Sequence, residues 1–421
     1  MQEKKTSIPF YSWYALALLT VIYVLNFVDR VLIYILFQPI KQELHFTDLQ
    51  LAVLGSTSFV IFYTFLGIPL GRLSDKHSRK RLIAIGLALW SLFAGLTGFA
   101  HDFWSLFFCR MMVGVGEATF GPAALSLLSD YFPARLRATA QSIFSSAITI
   151  GSGIAFFFGG LISDAYTWRH AFYFLGFPGI AFVVLILLLK EPERGIQDKK
   201  EAGANGPAPK SDWRKLIANA PLRYLLLGYA FLAVAANSAS IWVPAYFVRA
   251  QHMTATQIGG WISFGTIAGG LPGTLLGGFF ADKFRKRGPG GRLFLMSILA
   301  FLCAPVWILL LNTSVVPIQF MSLTILLGLA LAWLGPAAAD VNDIAGPHSR
   351  GLAIGIYFFT VNLIGLGFGP PLYGKINDLL NVSMHPELMR QTLLLSPVAC
   401  IIAGIILYIG SKKIEREHTA N

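Results

Sequence analysis

The stretch Cys109–Phe132, CRMMVGVGEATFGPAALSLLSDYF, decides the fold. It is long enough to cross a bilayer as a helix. Inside its apolar run it carries two full charges, Arg110 and Glu117. They are two helical turns apart, so both leave one face about 10 Å apart along the axis. Charges are costly in a membrane helix and face a protein interior or a watery path. Gly114 and Gly116 leave the backbone between them bare for the approach of a helix or a ligand. Two readings stand side by side: a pair that only locks helices together, and a functional site.

The rest of the chain has the same character. Of 421 residues 55% are hydrophobic and only 13% charged, where a soluble protein is nearer a quarter charged. This is an integral membrane protein. Cys109, Cys303 and Cys400 all lie in apolar segments without paired spacing and read as small apolar residues. The N-terminal apolar segment lacks a small-residue cleavage site and reads as a retained first span.

Twelve spans are expected, near 13–38, 49–71, 82–100, 104–131, 138–163, 170–189, 222–248, 256–281, 293–312, 316–340, 351–376 and 390–410. Each is near or above the ~20 residues a crossing helix needs. An even number places both termini on one side. Loops on that side hold 26 of the 33 Lys and Arg residues, and the opposite loops hold 5. That split predicts cytoplasmic termini. It also accounts for the net charge of +12 without nucleic acid. The polar, Gly-, Ala- and Pro-rich run after Lys190 reads as a linker between halves, with a short surface helix near Ser211–Ala218. The expected division is 1–190, a linker 191–221, and 222–421. Short loops and compact size suggest a bacterial inner membrane.

The halves repeat. Gly71-Arg-Leu-Ser-Asp75-Lys76, with Arg79 following, recurs as Gly278-Phe-Phe-Ala-Asp282-Lys283, with Arg285 following. The second copy lies 207 residues on (278 minus 71). Weaker echoes pair Arg137 with Arg350 and Asp164 with Asp378. Such symmetry is typical of transporters with a site between the repeats at mid-membrane.

The loop Gly71–Leu82, GRLSDKHSRKRL, resembles the signature loop of the major facilitator superfamily, with Ser78 where that family usually has Gly. The resemblance covers the whole chain and implies an all-α membrane fold of twelve helices in two pseudo-symmetric six-helix halves. It also implies a cytoplasmic gate at Gly71, Asp75, Arg79, Asp282 and Arg285. An acid at a helix end can accept from a facing helix N-terminus and pair with a nearby Arg, so the chemistry agrees.

The first span ends Asn26-Phe-Val-Asp29-Arg30. Asp29 and Arg110 are expected at similar depths and could pair, while Arg30 could reach inward to Glu117. Two acids and two bases can change partners when one acid takes a proton. A purely structural ion-pair cluster is the competing account. Asn-Phe-x-Asp-Arg in span one with Gly114-Val-Gly-Glu-Ala118 in span four resembles the spinster group of lipid transporters. Anion–cation symporters share a similar first-span motif and the Glu-Ala. The spinster resemblance implies an amphipathic lipid-like or lipophilic anionic substrate, of the lysophospholipid or sphingoid phosphate class, moved by alternating access. The alternative is a proton-linked symporter of small organic or sugar-acid anions. Arg110-x-x-x-Gly114 resembles the fourth-span motif of proton-linked facilitators, so a proton is the implied coupling ion. Span five lacks the Gly-Pro of the antiporter motif, which leaves symport and antiport open.

Cavity candidates are Asn26 in the first half and Asn237, Trp242, Tyr246, Trp333, Tyr357 and Asn362 in the second, none of them charged. A charged half facing an aromatic half could hold a polar head and an apolar tail, though ordinary aromatic packing fits each residue as well. Asp48 follows Thr47 at a helix start and reads as part of a cap, with Arg110 as a second-rank charge partner. No nucleophile with its base, metal set or cofactor motif is present to suggest an enzyme. The implied partners are a small amphipathic or anionic substrate and membrane lipid, with no nucleic acid, and the chain is read as a monomer.

Overall fold

The computed structural model describes residues 9–194, 196, 213–345 and 349–420, with a few helical side chains, Asp75 among them, outside the description. Among the described residues, twelve helices are long and apolar enough to cross a membrane. The first six are α1 (Phe10–Ile35), α2 (Asp48–Gly67, its helix continuing to Lys76), α3 (Arg79–Phe99), α4 (Phe103–Tyr131), α5 (Thr139–Ala165) and α6 (Trp168–Leu188). The last six are α7 (Ala220–Ala250), α8 (Ala255–Arg285), α9 (Gly291–Asn312), α10 (Val316–Ala345), α11 (Leu352–Leu379) and α12 (Pro386–Arg416). The surface helix between the halves runs Trp213–Ala218, and Ser211 lies outside the described residues.

Local sequence explains where the helices stop and bend. The first span ends at Ile35, three residues before its expected end, because Pro39 has no N–H for the Ile35 carbonyl. A short helix, Phe37–Leu44, follows. The fourth span is broken after Glu117 and resumes at Phe120. Pro122 is the reason: it offers no N–H to Ala118 and its ring crowds that carbonyl. Pro336 does the same to α10, which is interrupted after Leu331 and resumes at Leu334. Three spans contain a π-helical turn: Val53–Thr57 in α2, Thr266–Gly270 in α8 and Asn362–Phe368 in α11. Such turns recur at functional sites. Those of α2 and α11 meet across the halves, where Thr57 Oγ1 donates to the Gly367 carbonyl at 2.9 Å.

One buried apolar cluster runs from Ala15 in α1 to Cys400 in α12 and so crosses between the halves. A second, including Leu222, Tyr229, Trp333 and Leu407, belongs to the later half. Buried packing at the end remote from the termini therefore joins the two bundles, and the charges of α1 and α4 lie against it.

Candidate functional site

The break in α4 places Glu117 at the end of its first segment, Phe103–Glu117, facing α1. Gly114 allows α4 this close to α2, since a Cβ there would stand 2.6 Å from the Phe59 carbonyl oxygen. Glu117 is fully buried and accepts two bonds on one oxygen, from Arg30 Nε at 2.9 Å and from Nη2 at 2.5 Å. The Arg30 guanidinium also lies over the rings of Phe27, Phe59 and Tyr63, at 4.7, 4.7 and 4.8 Å. Cation–π contacts of this kind hold a charge where water is scarce. Arg30 still keeps 16% of its side chain exposed.

Arg110 is arranged differently from the expected Asp29 pairing. Its Nη1 donates to the main-chain oxygen of Asp29 at 2.9 Å, and its Nη2 to that of Arg30 at 3.0 Å. The guanidinium thus braces the backbone of α1 and leaves the Asp29 carboxyl alone. Asp29 is 1% exposed, and among the described residues neither of its oxygens has a hydrogen-bond partner. Buried Asn26, one turn earlier, has its amide beside Glu117. The four charges share one pocket of the first half, yet only one acid is ion-paired.

Asp48 is not a partner of Arg110. It is buried at the start of α2 and binds Lys41 and, across the halves, Arg249 at 2.7 Å. Helix geometry explains the miss, because Asp48 heads its span while Arg110 lies two turns inside α4.

The described gate candidates on the side of the termini are tied to their own halves or to the start of the linker. Gly71 lies nearest Pro122 of α4. The Asp75 side chain lies outside the described residues. Arg79 is buried and bonds Asp130, Ser126 and the carbonyl of Pro192. Glu191 accepts from Ser78 Oγ at 2.5 Å, from the Arg79 N–H at 2.8 Å and from Arg79 Nε at 3.1 Å. Burial opposes charge on Glu191, but the bonds from Ser78 and Arg79 outweigh it and hold the carboxyl below the usual range. Asp282 binds Arg292 at 2.8 Å, and Arg285 binds Asp343 at 3.1 Å. Arg292 also binds Asp343 at 2.7 Å. Arg79–Asp130 and Arg292–Asp343 are thus the same ion pair repeated, each residue 213 positions on (292 minus 79, 343 minus 130). Asp130, Glu191 and Arg292 escaped the sequence reading. A signal existed for the repeat: Gly121-Pro-Ala-Ala124 recurs as Gly335-Pro-Ala-Ala338, 214 positions on (335 minus 121), within two turns before Asp130 and Asp343.

In the later half Trp242, Trp333 and Tyr357 are packing residues, which corrects their placement in a cavity, whereas Tyr246 lines a cavity with Gln251, Asn312 and Arg390. Trp242 is fully buried and donates to the Pro370 carbonyl at 3.0 Å. Tyr246 is buried, and its hydroxyl accepts from Gln251 at 3.2 Å. Trp333 stacks on Tyr229, and Tyr357 meets Tyr229 edge-on. The buried rings of Trp242, Trp333 and Tyr357 contribute contact area to the helix bundle. Asn237 and Asn362 are half-buried; Asn237 donates to the Ala233 carbonyl one turn back, and Asn362 opens the π turn of α11.

Comparison with known proteins agrees with this architecture. The family model of the Major Facilitator Superfamily matches residues 19–370 and 259–421. An MFS-type efflux pump of Mycolicibacterium smegmatis is 26% identical over 412 residues, covering 97% of this chain and 95% of the pump. Protein spinster homolog 1 of Xenopus tropicalis is 27% identical over 407 residues, covering 91% of this chain and 76% of that protein. Among solved structures, a bacterial homolog to the human lysosomal transporter Spinster, in an inward-facing and unoccupied conformation, superposes with a TM-score of 0.80. It is 25% identical, with 98% of both chains covered. The chain therefore belongs to the major facilitator superfamily and resembles its spinster group.

Proposed function

We propose that the protein is a proton-coupled secondary transporter of an amphipathic, lipid-like or lipophilic anion, working by alternating access. The observation that carries this is the unequal treatment of the two buried acids. Glu117 is locked to Arg30, whereas Asp29 is buried without a donor. An ionised carboxylate in such a place is very costly, so a proton is what makes it tolerable. Asp29 is then the group that gains and loses the proton, and Glu117 positions Arg30. Charge appearing on Asp29 draws on Arg110, whose grip on the α1 backbone lies beside it. That converts proton binding into movement of α1 against α4.

Arg30, partly exposed and framed by aromatic rings, is the docking group for the anionic head. The uncharged face of the later half, with Asn237 and Asn362 as its polar members, receives the rest of the substrate. The distribution of Lys and Arg supports cytoplasmic termini, and the bacterial relatives support a bacterial plasma membrane.

The test is a thermal-shift titration of the purified protein in a non-lipid detergent at about pH 5.5 and pH 7.5. A lysophospholipid and a sphingoid phosphate are compared with small sugar acids. Saturable stabilisation by the lipids, lost in Arg30→Gln, is the expected result. Stabilisation by a sugar acid alone would overturn the lipid reading and make the protein an organic-anion symporter.

A further inference from the structure

The end of the molecule remote from the termini is shut by a contact that occurs twice. In one copy, Asp378 near the end of α11 accepts from the main-chain N–H groups of Asp48 and Leu49, at 2.8 and 2.9 Å. In the other, Asp164 near the end of α5 accepts from the N–H and the hydroxyl of Thr256, both at 2.7 Å. Each carboxylate thus caps the first turn of the opposite half's second helix. One turn before each acid is a glycine that lets the helix start come close. A Cβ on Gly374 would stand 2.6 Å from the Asp48 carbonyl oxygen, and one on Gly160 would stand 2.4 Å from that of Ala255.

The helix starts are matched as well. Thr47 and Gln50 form a capping box on α2, and Thr254 and Gln257 form one on α8. In each box the threonine hydroxyl takes the third N–H of the helix, and the second N–H goes to the opposing carboxylate. The helix keeps its own cap if the acid leaves, so these cross-half bonds can break without fraying the helix. The two copies differ in one respect. Asp48 adds a buried ion pair to Arg249, whose Nε also donates to Gln38 at 2.6 Å, whereas the matching position in α8 is Ala255.

We propose that Gly160 with Asp164 and Gly374 with Asp378 form a two-fold gate at this end, made when it is shut and broken when it opens, with Arg249–Asp48 as a lock on the α2–α7–α11 side only. The gate rests on alternating access but on neither the substrate nor the proton.

The experiment measures distances between spin labels on Gln42→Cys and Ser383→Cys, exposed positions on the two halves at this end, in the full-length protein in detergent. The three native cysteines are buried. The ratio of long-distance to short-distance populations is read without substrate. Arg249→Gln and Asp378→Asn should each raise it roughly tenfold, as loss of charge-assisted bonds to a partly buried group implies. Asp164→Asn should raise it less, roughly threefold, because Asp164 is exposed to water. Unshifted distances in both Arg249→Gln and Asp378→Asn would overturn the gate. Should either protein fail to fold, Leu49→Pro removes one donor to Asp378 at a first-turn position that tolerates proline, and is judged by the same ratio. Shifted distances without lipid stabilisation would sink the substrate reading alone; unshifted distances with lipid stabilisation would sink the gate alone.

Discussion

Replacing Asp29 by Asn and, separately, Glu117 by Gln distinguishes a proton site from a structural ion pair. Asp29 is 1% exposed and makes no hydrogen bond through its side chain among the described residues. Asparagine has the size of the protonated acid and removes no ion pair, so the expected change in stability is within about 1 kcal/mol. Glu117 accepts both Arg30 bonds at 2.9 and 2.5 Å with its side chain fully buried. The Glu117→Gln change would leave the Arg30 charge without a counter-ion, and breaking a buried pair this way costs about 3–5 kcal/mol. At roughly 2 °C per kcal/mol for a large chain, Glu117→Gln should lower the melting temperature by about 6–10 °C and Asp29→Asn by about 2 °C or less. Unfolding of both variants is followed by intrinsic fluorescence in detergent. In proteoliposomes Asp29→Asn should abolish uptake driven by a pH gradient while exchange without a gradient persists. An Asp29→Asn protein as unstable as Glu117→Gln, or one still driven by the gradient, would refute the assignment of the proton to Asp29.

Other predictions concern packing and the loops. Gly114→Ala should destabilise the protein and lower its yield, because the added methyl meets the Phe59 carbonyl oxygen at 2.6 Å; a melting temperature equal to wild type would show that α2 and α4 can part without penalty. Glu191→Gln should lower the melting temperature at pH 7. The folded carboxyl lies below its ordinary range, so its contribution is present above about pH 4.3 and is lost as the pH falls through the lower folded value. The gap between variant and wild type should therefore close in acid, and a gap that is constant with pH would contradict the role given to the Ser78 and Arg79 bonds. Asp343→Asn should weaken the later half as Asp130→Asn weakens the first, since both remove the same repeated pair with arginine. Limited proteolysis of the two variants would show whether the effects are symmetric.

What the sequence determined by itself was whatever depends on composition and period. Runs of about twenty apolar residues force helices, because a bilayer leaves no other way to satisfy the backbone. Repeated loops and the echo of Asp164 by Asp378 announced two halves. The four charges of α1 and α4 stood out because such charges are expensive in an apolar span. Partner choice was another matter. Whether Arg110 takes the Asp29 carboxyl or the main-chain oxygens beside it depends on how α1 and α4 turn against each other, and the break made by Pro122 and the closeness allowed by Gly114 set that. Buried Trp242 and Trp333 read the same as cavity residues, since an apolar ring suits a packed interface and a substrate tail alike. Asp48 was legible as part of a helix start, but its bond to Arg249 spans 201 residues and exists only once the halves are docked. Local chemistry names the helices and the groups that must be satisfied; the docking of one bundle on the other decides which group satisfies which.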